Sequence, residues 1–169
     1  MSSRLKLGLI FFACAAPFLL GWLAYEYRLG AGESGNYGEL LQPQAVSGPL
    51  TPLRGKWVLV TFDTAACAAA CEKKLYIVRQ LRRGQGKEQE RIERLWVLTD
   101  SGKPRNEVLT AIEGSHVAAD ANLAFPGKRE DHIYLVDPLG NLMMRFPSDP
   151  EPAKMIKDLQ RLLKYSRFG

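Results

Sequence analysis

The N-terminal part of the chain contains an uncharged apolar run that a water-soluble domain could hardly bury. Residues 7–25 read LGLIFFACAAPFLLGWLAY, without an acidic or basic side chain. As an α-helix this run would be about 28 Å long, close to the thickness of a hydrocarbon core. Arg4 and Lys6 precede the run and Glu26 follows it, so the positive-inside rule keeps the N-terminus in the cytoplasm. We therefore predict a single-pass anchor within residues 1–27, in the inner (cytoplasmic) membrane, with the C-terminal domain in the periplasm.

Two other interpretations of this run are open. A cleaved signal peptide would have a shorter apolar region that ends in a small-x-small site, but Ala13–Ala16 lies inside the run. Lipidation would make Cys14 the N-terminal residue, and little apolar sequence precedes it. We interpret Cys14 as a small apolar side chain of the anchor.

The segment after the anchor has the composition of a tether. Residues 28–54 contain five Gly and three Pro and show little apolar periodicity, which predicts a linker. The remaining residues, 55–169, are enough for one domain with its own core. They carry 19 basic and 15 acidic side chains, well interspersed, so nucleic acid is not an expected partner.

The pattern of residues 55–169 predicts an α/β domain. Short β-rich runs, helical periodicities and a turn-rich join follow one another in the order β-α-β-α-β-β-α. The predicted strands are Trp57–Phe62, Leu95–Thr99, Ile133–Val136 and Leu142–Phe146. The predicted helices are Ala68–Arg83, a short one that starts at Pro104, and a last one that starts near Pro150 and Pro152. With a cysteine pair where the first strand meets the first helix, this order is that of a thioredoxin-like domain.

The cysteine pair is the main candidate for chemistry. Cys67 and Cys71 are four residues apart, a spacing that places two side chains on one helical face, about 5–6 Å apart at Cβ. Such thiols can form a disulfide or converge on a soft metal ion. A helix N-terminus also favours the thiolate form of Cys67. The alternative is two small buried cysteines in an Ala-rich turn.

Three stretches resemble the SCO (SenC-type) family of membrane-anchored, thioredoxin-like proteins. They are GKWVLVTF (55–62), TAACAAACEKK (64–74) and HIYLVDPLGN (132–141). The resemblance implies that Cys67 and Cys71 are the family's two cysteines and that the protein assists copper insertion into cytochrome c oxidase. Glu72 stands where the family usually has proline, and His132 lies closer to the hairpin strand than the family's copper-ligating histidine.

His132 and His116 are the histidines of the chain. Two thiolates and one imidazole suit copper, although zinc would accept the same ligands. In a thioredoxin-like fold the loop that enters the hairpin passes beside the cysteine helix. His132 is therefore the expected third ligand.

Three functions are open for this set of residues. A copper-delivery protein would hold copper through Cys67, Cys71 and His132 and pass it to a subunit of cytochrome c oxidase or to another copper-handling protein. A periplasmic thiol-disulfide oxidoreductase would attack a partner with Cys67 and resolve the mixed disulfide with Cys71. A thioredoxin-like interaction module would use neither cysteine.

Overall fold

The computed structural model describes residues 3–26, 35–120 and 123–166. The chain divides between Gly35 and Asn36 into two compact units. The first contains α1 (Ser3–Glu26), and its segment Ser3–Leu23 is long and apolar enough to cross a membrane. The predicted end of the anchor, residue 27, lies outside the described residues, as does the segment up to residue 34.

The second unit is built on one mixed sheet of six strands with the order β1-β6-β5-β2-β3-β4. The central strand β2 runs parallel to β3 and antiparallel to β5. The strands are β1 (Glu39–Ala45), β2 (Trp57–Asp63), β3 (Ile92–Leu98), β4 (His116–Ala119), β5 (His132–Val136) and β6 (Asn141–Pro147). The helices of this unit are α2 (Ala69–Arg83), α3 (Asn106–Ala111) and α4 (Pro152–Tyr165).

The central strand β2 is buried on both faces, which explains why its residues 57–62 are apolar except for Thr61. Successive side chains of a strand point to opposite faces, so the core is divided into layers. On one face, Leu59, Ile133 and Leu135 pack against apolar side chains of α2 and α4. On the other face, Val60 and Tyr134 pack in a second apolar layer. Residues outside the six strands cover this layer: Leu50, Leu53, Leu123 and Phe125.

The predicted α/β architecture is confirmed, and the structure adds two strands to it. Strand β1 lies inside the segment 28–54 that the sequence analysis assigns to a linker, and a short 3-10 helix, Gly48–Leu53, follows it. The folded unit therefore begins earlier in the chain than residue 55. Strand β1 is mostly exposed and carries Pro43 where its register against β6 shifts. Backbone pairing at a sheet edge holds it, and apolar periodicity does not detect such pairing. The second addition, β4, is a four-residue edge strand.

Candidate thiol site

The cysteine loop, residues 64–68, connects β2 to α2. The N–H of Cys67 donates to the Thr64 carbonyl at 3.1 Å. The N–H of Ala65 donates to a carboxylate oxygen of Asp100 at 2.9 Å, which ties the loop to the segment after β3. Cys67 has a φ of +42°, a left-handed backbone that costs an L-residue other than glycine about 1–2 kcal/mol. The loop therefore holds Cys67 in a conformation that it would not adopt alone.

Cys67 and Cys71 form a disulfide, with their Cα atoms 5.1 Å apart. The sequence analysis treats both cysteines as residues of one helical face. The structure places Cys71 in the first turn of α2 and Cys67 before the helix, two residues ahead of Ala69. The bridge thus joins the loop to the helix, and its loop end is the residue with the left-handed backbone.

The disulfide is buried in a small apolar cluster. Cys67 is 0% and Cys71 3% exposed. The cluster is formed by side chains of the cysteine loop, α2, β3, α3 and the residue that follows α3: Ala65, Leu75, Trp96, Leu98, Val108 and Ile112. A thiolate that attacks a disulfide has to reach one of its sulfurs. The side chains of this cluster would therefore have to move before a partner thiol could react with Cys67 or Cys71.

Arg105, the residue that precedes α3, lies against the cysteine loop. Its Nη2 donates to the carbonyl oxygen of Cys67 at 2.9 Å and also contacts Oε1 of Glu72, the residue after Cys71. The side chains of Arg105 and Glu72 are each 51% exposed. An ion pair at the surface thus spans the two ends of the disulfide-bonded segment.

A buried ion pair lies beneath the same helix. Lys74 is 2% exposed, and its Nζ is 2.7 Å from Oδ2 of Asp63, the last residue of β2. The ammonium also donates to the carbonyl oxygens of Phe62, at 3.2 Å, and of Glu130, at 2.6 Å. Burial raises the pKa of the Asp63 carboxyl, and Lys74 opposes part of that rise. These contacts link the end of β2, the first turns of α2 and the segment before β5.

The structure does not bring His132 together with the cysteines. Its ring lies 5.7 Å from that of Tyr134, and its Nδ1 is 2.9 Å from the carbonyl oxygen of Lys128. Ile133, the next residue of β5, packs in the layer of α2, so alternation places His132 on the opposite face of the sheet. His116 lies on β4, with its Nε2 3.4 Å from Glu93.

The reduced cysteines fit a soft metal ion, but the described residues do not assemble a complete ligand set. Within residues 3–26, 35–120 and 123–166, no group of three or more His, Cys, Asp and Glu side chains is placed to hold a metal. Thiolates select Cu(I), and Cys67 and Cys71 would supply two of them after reduction. The chemistry of two thiolates therefore suits Cu(I), and a third ligand would have to come from a side chain that is not placed beside the sulfurs.

Sequence reasoning missed Asp63, Lys74 and Arg105 as parts of this site. A signal for Lys74 exists, because Lys74, Val78 and Leu81 follow the helical spacing of a buried face. The signal for Asp63 is weaker: it is an acidic residue directly after the predicted strand Trp57–Phe62. Arg105 is 38 residues from Cys67 along the chain, and its contact depends on how the loop after β3 folds.

Residues 57–166 match the family model described as the transmembrane-like, thioredoxin-like, C-terminal domain. No curated protein matches the sequence. The thioredoxin-like fold that the sequence predicts is thereby confirmed.

Solved structures with a similar fold include several Sco proteins. Copper-bound yeast Sco1 is 14% identical, with a TM-score of 0.57 over 80% of this chain and 96% of that chain. Copper-bound ScoI of Bradyrhizobium japonicum is 21% identical, with a TM-score of 0.50 over 73% and 98%. BsSco is a member of the Sco family of cytochrome c oxidase assembly proteins in which a disulfide switch has been identified. It is 15% identical, with a TM-score of 0.51 over 80% and 98%. At these identities the likeness establishes the fold.

Proposed function

Because the chain belongs to the family of transmembrane-like, thioredoxin-like C-terminal domains, we propose that its Cys67–Cys71 pair is a redox centre that exchanges thiols and disulfides with a partner protein. The observation that carries this proposal is the disulfide at the junction of β2 and α2. Two further features support a reactive pair: the left-handed backbone of Cys67 and the position of Cys71 in the first turn of a helix.

The exchange has two steps. The thiolate of Cys67 attacks a partner disulfide, so that one partner sulfur leaves as a thiol and a mixed disulfide forms. The thiolate of Cys71 then attacks the sulfur of Cys67, which restores the Cys67–Cys71 bond and releases the second partner sulfur. Two electrons pass to the partner, and a dithiol reductant must return two electrons to the pair.

The Sco-like fold supports a more specific role for this chemistry. We assign the partner to a copper site of cytochrome c oxidase, because BsSco, which has a similar fold, is a member of a family of cytochrome c oxidase assembly proteins. Any cysteine that is to bind copper at such a site has to be a thiol and not part of a disulfide. The apolar helix α1 would tether the domain to the inner membrane, with the redox centre on the periplasmic side. The periplasm is an oxidising compartment, in which partner cysteines form disulfides that this pair could reduce.

A redox titration tests the proposed centre. We expect the full chain in detergent, with Cys14→Ser to remove the third thiol, to convert between disulfide and dithiol in glutathione buffers of increasing reducing strength. Alkylation would then add two labels in a single transition, read by mass, because the two sulfurs form one two-electron couple. The variant Cys67→Ser with Cys71→Ser is the control and should take no label. A wild-type pair that stays oxidised in every glutathione buffer contradicts the proposal.

Copper delivery is the second candidate function, and the copper-bound state of Sco relatives with the same fold favours it. In this function Cys67 and Cys71 would carry Cu(I) as cargo and release it by ligand exchange to the oxidase. His132 is the proposed third ligand. Its Nε2 is the nitrogen left for a metal, because Nδ1 faces the carbonyl oxygen of Lys128. The start of β5 would have to move for this ligand to reach the sulfurs.

A Cu(I) titration of the reduced chain against a competing chelator tests this second function. We expect one copper per chain and loss of tight binding in Cys67→Ser or Cys71→Ser, because one sulfur remains. His132→Ala should weaken binding about tenfold, the lower end of the effect of lost supporting coordination. His116→Ala is the matched control and should leave the affinity unchanged. If His132→Ala also leaves the affinity unchanged, copper is held by the two sulfurs without it.

A further inference from the structure

A groove between α2 and α3 shares part of its lining with the apolar cluster that buries the disulfide. The shared residues are Leu75, Val108 and Ile112. This cluster has to move before a partner can react with Cys67 or Cys71, and the groove gives access from solvent to three of its side chains. A partner that enters the groove therefore contacts the cluster itself.

The groove has the size of one side chain. Its volume is about 180 Å³. An apolar cavity of about 150 Å³ takes up a benzene molecule, whereas pockets for cofactors and other small ligands commonly measure roughly 300–1,000 Å³. One aromatic or branched aliphatic side chain would fill the groove. The volume thus favours an anchor residue of a peptide over a cofactor.

Charged side chains surround the apolar part of the groove. Glu72 and Glu107 lie in the first turns of α2 and α3, and Arg79 lies further along α2. Tyr76, which is 60% exposed, adds an aromatic ring to the lining. An apolar pocket with a polar rim is typical of the place where an anchor residue of a partner binds. A second copy of the chain is a poorer match, because a stable dimer buries about 800 Å² on each side.

The wall formed by α3 is held to α2 by polar contacts near its two ends. Arg105, which precedes α3, contacts Glu72, and Arg79 donates to the carbonyl oxygen of Ala111, the last residue of α3, at 2.9 Å. Polar contacts at the surface contribute little to stability, so this wall can shift at low cost. Between them α3 buries Val108 in the cluster. A side chain in the groove would pack against Val108 and replace apolar contacts that the cluster loses when it opens.

We infer that the groove between α2 and α3 binds an apolar side chain of the partner segment that carries the reacting disulfide. This inference rests on the proposed function, in which the partner has to bring a sulfur to Cys67 or Cys71. Binding in the groove holds the partner segment next to the cluster and stabilises the opened cluster. The side chain near the partner's cysteine then contributes to the selectivity of the exchange.

Probe peptides test this inference on the full chain, in the Cys14→Ser background. The chain is reconstituted in lipid nanodiscs, because the tail of a free detergent molecule could itself fill the groove. Each peptide is a Gly/Ser chain with one cysteine, whose sulfur is bonded to the sulfur of thiopyridine. Phenylalanine stands in turn at successive positions on either side of this cysteine, and a peptide with serine at the same position is the comparison.

The reaction is followed by the absorbance of released thiopyridine. A thiolate of the reduced chain attacks the peptide sulfur, the bond from peptide to thiopyridine breaks, and thiopyridine leaves with the electron pair and takes up a proton. The other cysteine of the pair then closes the Cys67–Cys71 bond and releases the peptide as a thiol. The quantity compared is the ratio of the rate constants for the phenylalanine and serine peptides.

At the best position this ratio should be about ten in the wild-type chain, because the groove removes part of an aromatic side chain from water. Ala111→Phe fills the groove from its exposed rim and should lower the ratio to about one, with Ala153→Phe, at an exposed position of α4, as the matched control that keeps it. Tyr76→Ser should lower the ratio, whereas Tyr165→Ser, which removes another exposed tyrosine, should not. A wild-type ratio near one, or a ratio that Ala111→Phe leaves unchanged, overturns the inference.

A crosslinking assay separates the inference from the proposed function. The chain with Cys67→Ser and Cys71→Ser cannot exchange thiols, and the probe is the peptide with benzoylphenylalanine for phenylalanine and serine for cysteine. On illumination we expect crosslinks to Tyr76 and to α3, mapped by mass spectrometry, and their loss in Ala111→Phe. Crosslinks elsewhere in the chain overturn the inference.

Two further outcomes are distinct. If the wild-type chain reacts with no peptide while the serine variant forms these crosslinks, the proposed function is contradicted and the groove is still a peptide site. If light scattering shows a dimeric wild-type chain that Ala111→Phe converts to a monomer, the groove belongs to a second copy of the chain and the inference is wrong.

Discussion

Cells that carry Cys71→Ser are expected to accumulate a mixed disulfide between Cys67 and the partner protein. Cys71 is the sulfur bonded to Cys67 and thus the one placed to resolve the intermediate. Serine cannot do so, and the adduct should rise from a transient species to the main form of the chain. Non-reducing electrophoresis of acid-quenched cells, followed by mass spectrometry of the linked peptides, measures it.

The identity of the adduct also tests the assignment of the partner. We expect peptides from the copper-binding subunit of cytochrome c oxidase linked to the peptide that contains Cys67. Cys67→Ser is the matched control, because it has the same number of thiols and lacks the attacking sulfur. If Cys67→Ser traps the adduct and Cys71→Ser does not, the order of attack is reversed. If neither variant traps a protein, thiol exchange with a protein partner is contradicted.

The second large effect is expected for Lys74→Met. Methionine removes the ammonium and leaves the Asp63 carboxylate without its cation in a largely buried site. Breaking a buried pair in this way costs about 3–5 kcal/mol of the free energy of unfolding at neutral pH, and the partial exposure of Asp63 favours the lower value. Urea unfolding of the full chain in detergent, followed by tryptophan fluorescence, measures the loss.

This loss should depend on pH. Burial already raises the pKa of Asp63 above its ordinary value of 3.8, and removal of the ammonium raises it further. A raised carboxyl pKa means that the folded state holds the proton more tightly than the unfolded chain does. Its contribution to stability is therefore complete below the unfolded value and is lost as the pH rises through the folded value. Lys74→Met should differ least from wild type near pH 4 and most near pH 7.

Two controls make this prediction specific. Lys73→Met removes the neighbouring lysine, whose ion pair with Asp149 is exposed, and should cost less than about 1 kcal/mol. Combining Lys74→Met with Asp63→Leu replaces both members of the buried pair and should recover most of the loss. A similar cost for Lys73→Met and Lys74→Met, or a loss from Lys74→Met that is constant with pH, would show that the buried pair does not have the assigned role.

The strands and helices could be predicted where the pattern of apolar residues follows the period of the strand or helix that forms. Trp57–Phe62 is an apolar run because β2 is buried on both faces, and α2 follows the helical spacing of Leu75, Val78 and Leu81. Strand β1 could not be predicted in this way. Its partners on β6 lie about one hundred residues away, and its side chains are mostly exposed, so pairing of the backbone leaves no periodic signal.

The site was predictable to the extent that it is local. The spacing of Cys67 and Cys71 indicated that the two sulfurs could meet, and they do. The contact of Arg105 with the Cys67 carbonyl and that of Lys74 with the Glu130 carbonyl depend on loops, whose course a single sequence does not define. The role of His132 as a ligand remains a proposal, because alternation along β5 places it on the sheet face opposite α2.

The two neighbours of β2 run in opposite directions, and this has a consequence for how such a domain can diverge. The last residues of β3 and the first residues of β5 lie at the same end of the strands as the cysteine loop. The cysteine loop is therefore flanked by the segment that follows β3 and by the segment that precedes β5. Insertions or deletions before β5 can bring a new side chain to the sulfurs, or withdraw one, while every strand keeps its register. We expect that a change in the length of this loop alone could add or remove a third metal ligand beside the Cys67–Cys71 pair, without a change in the core.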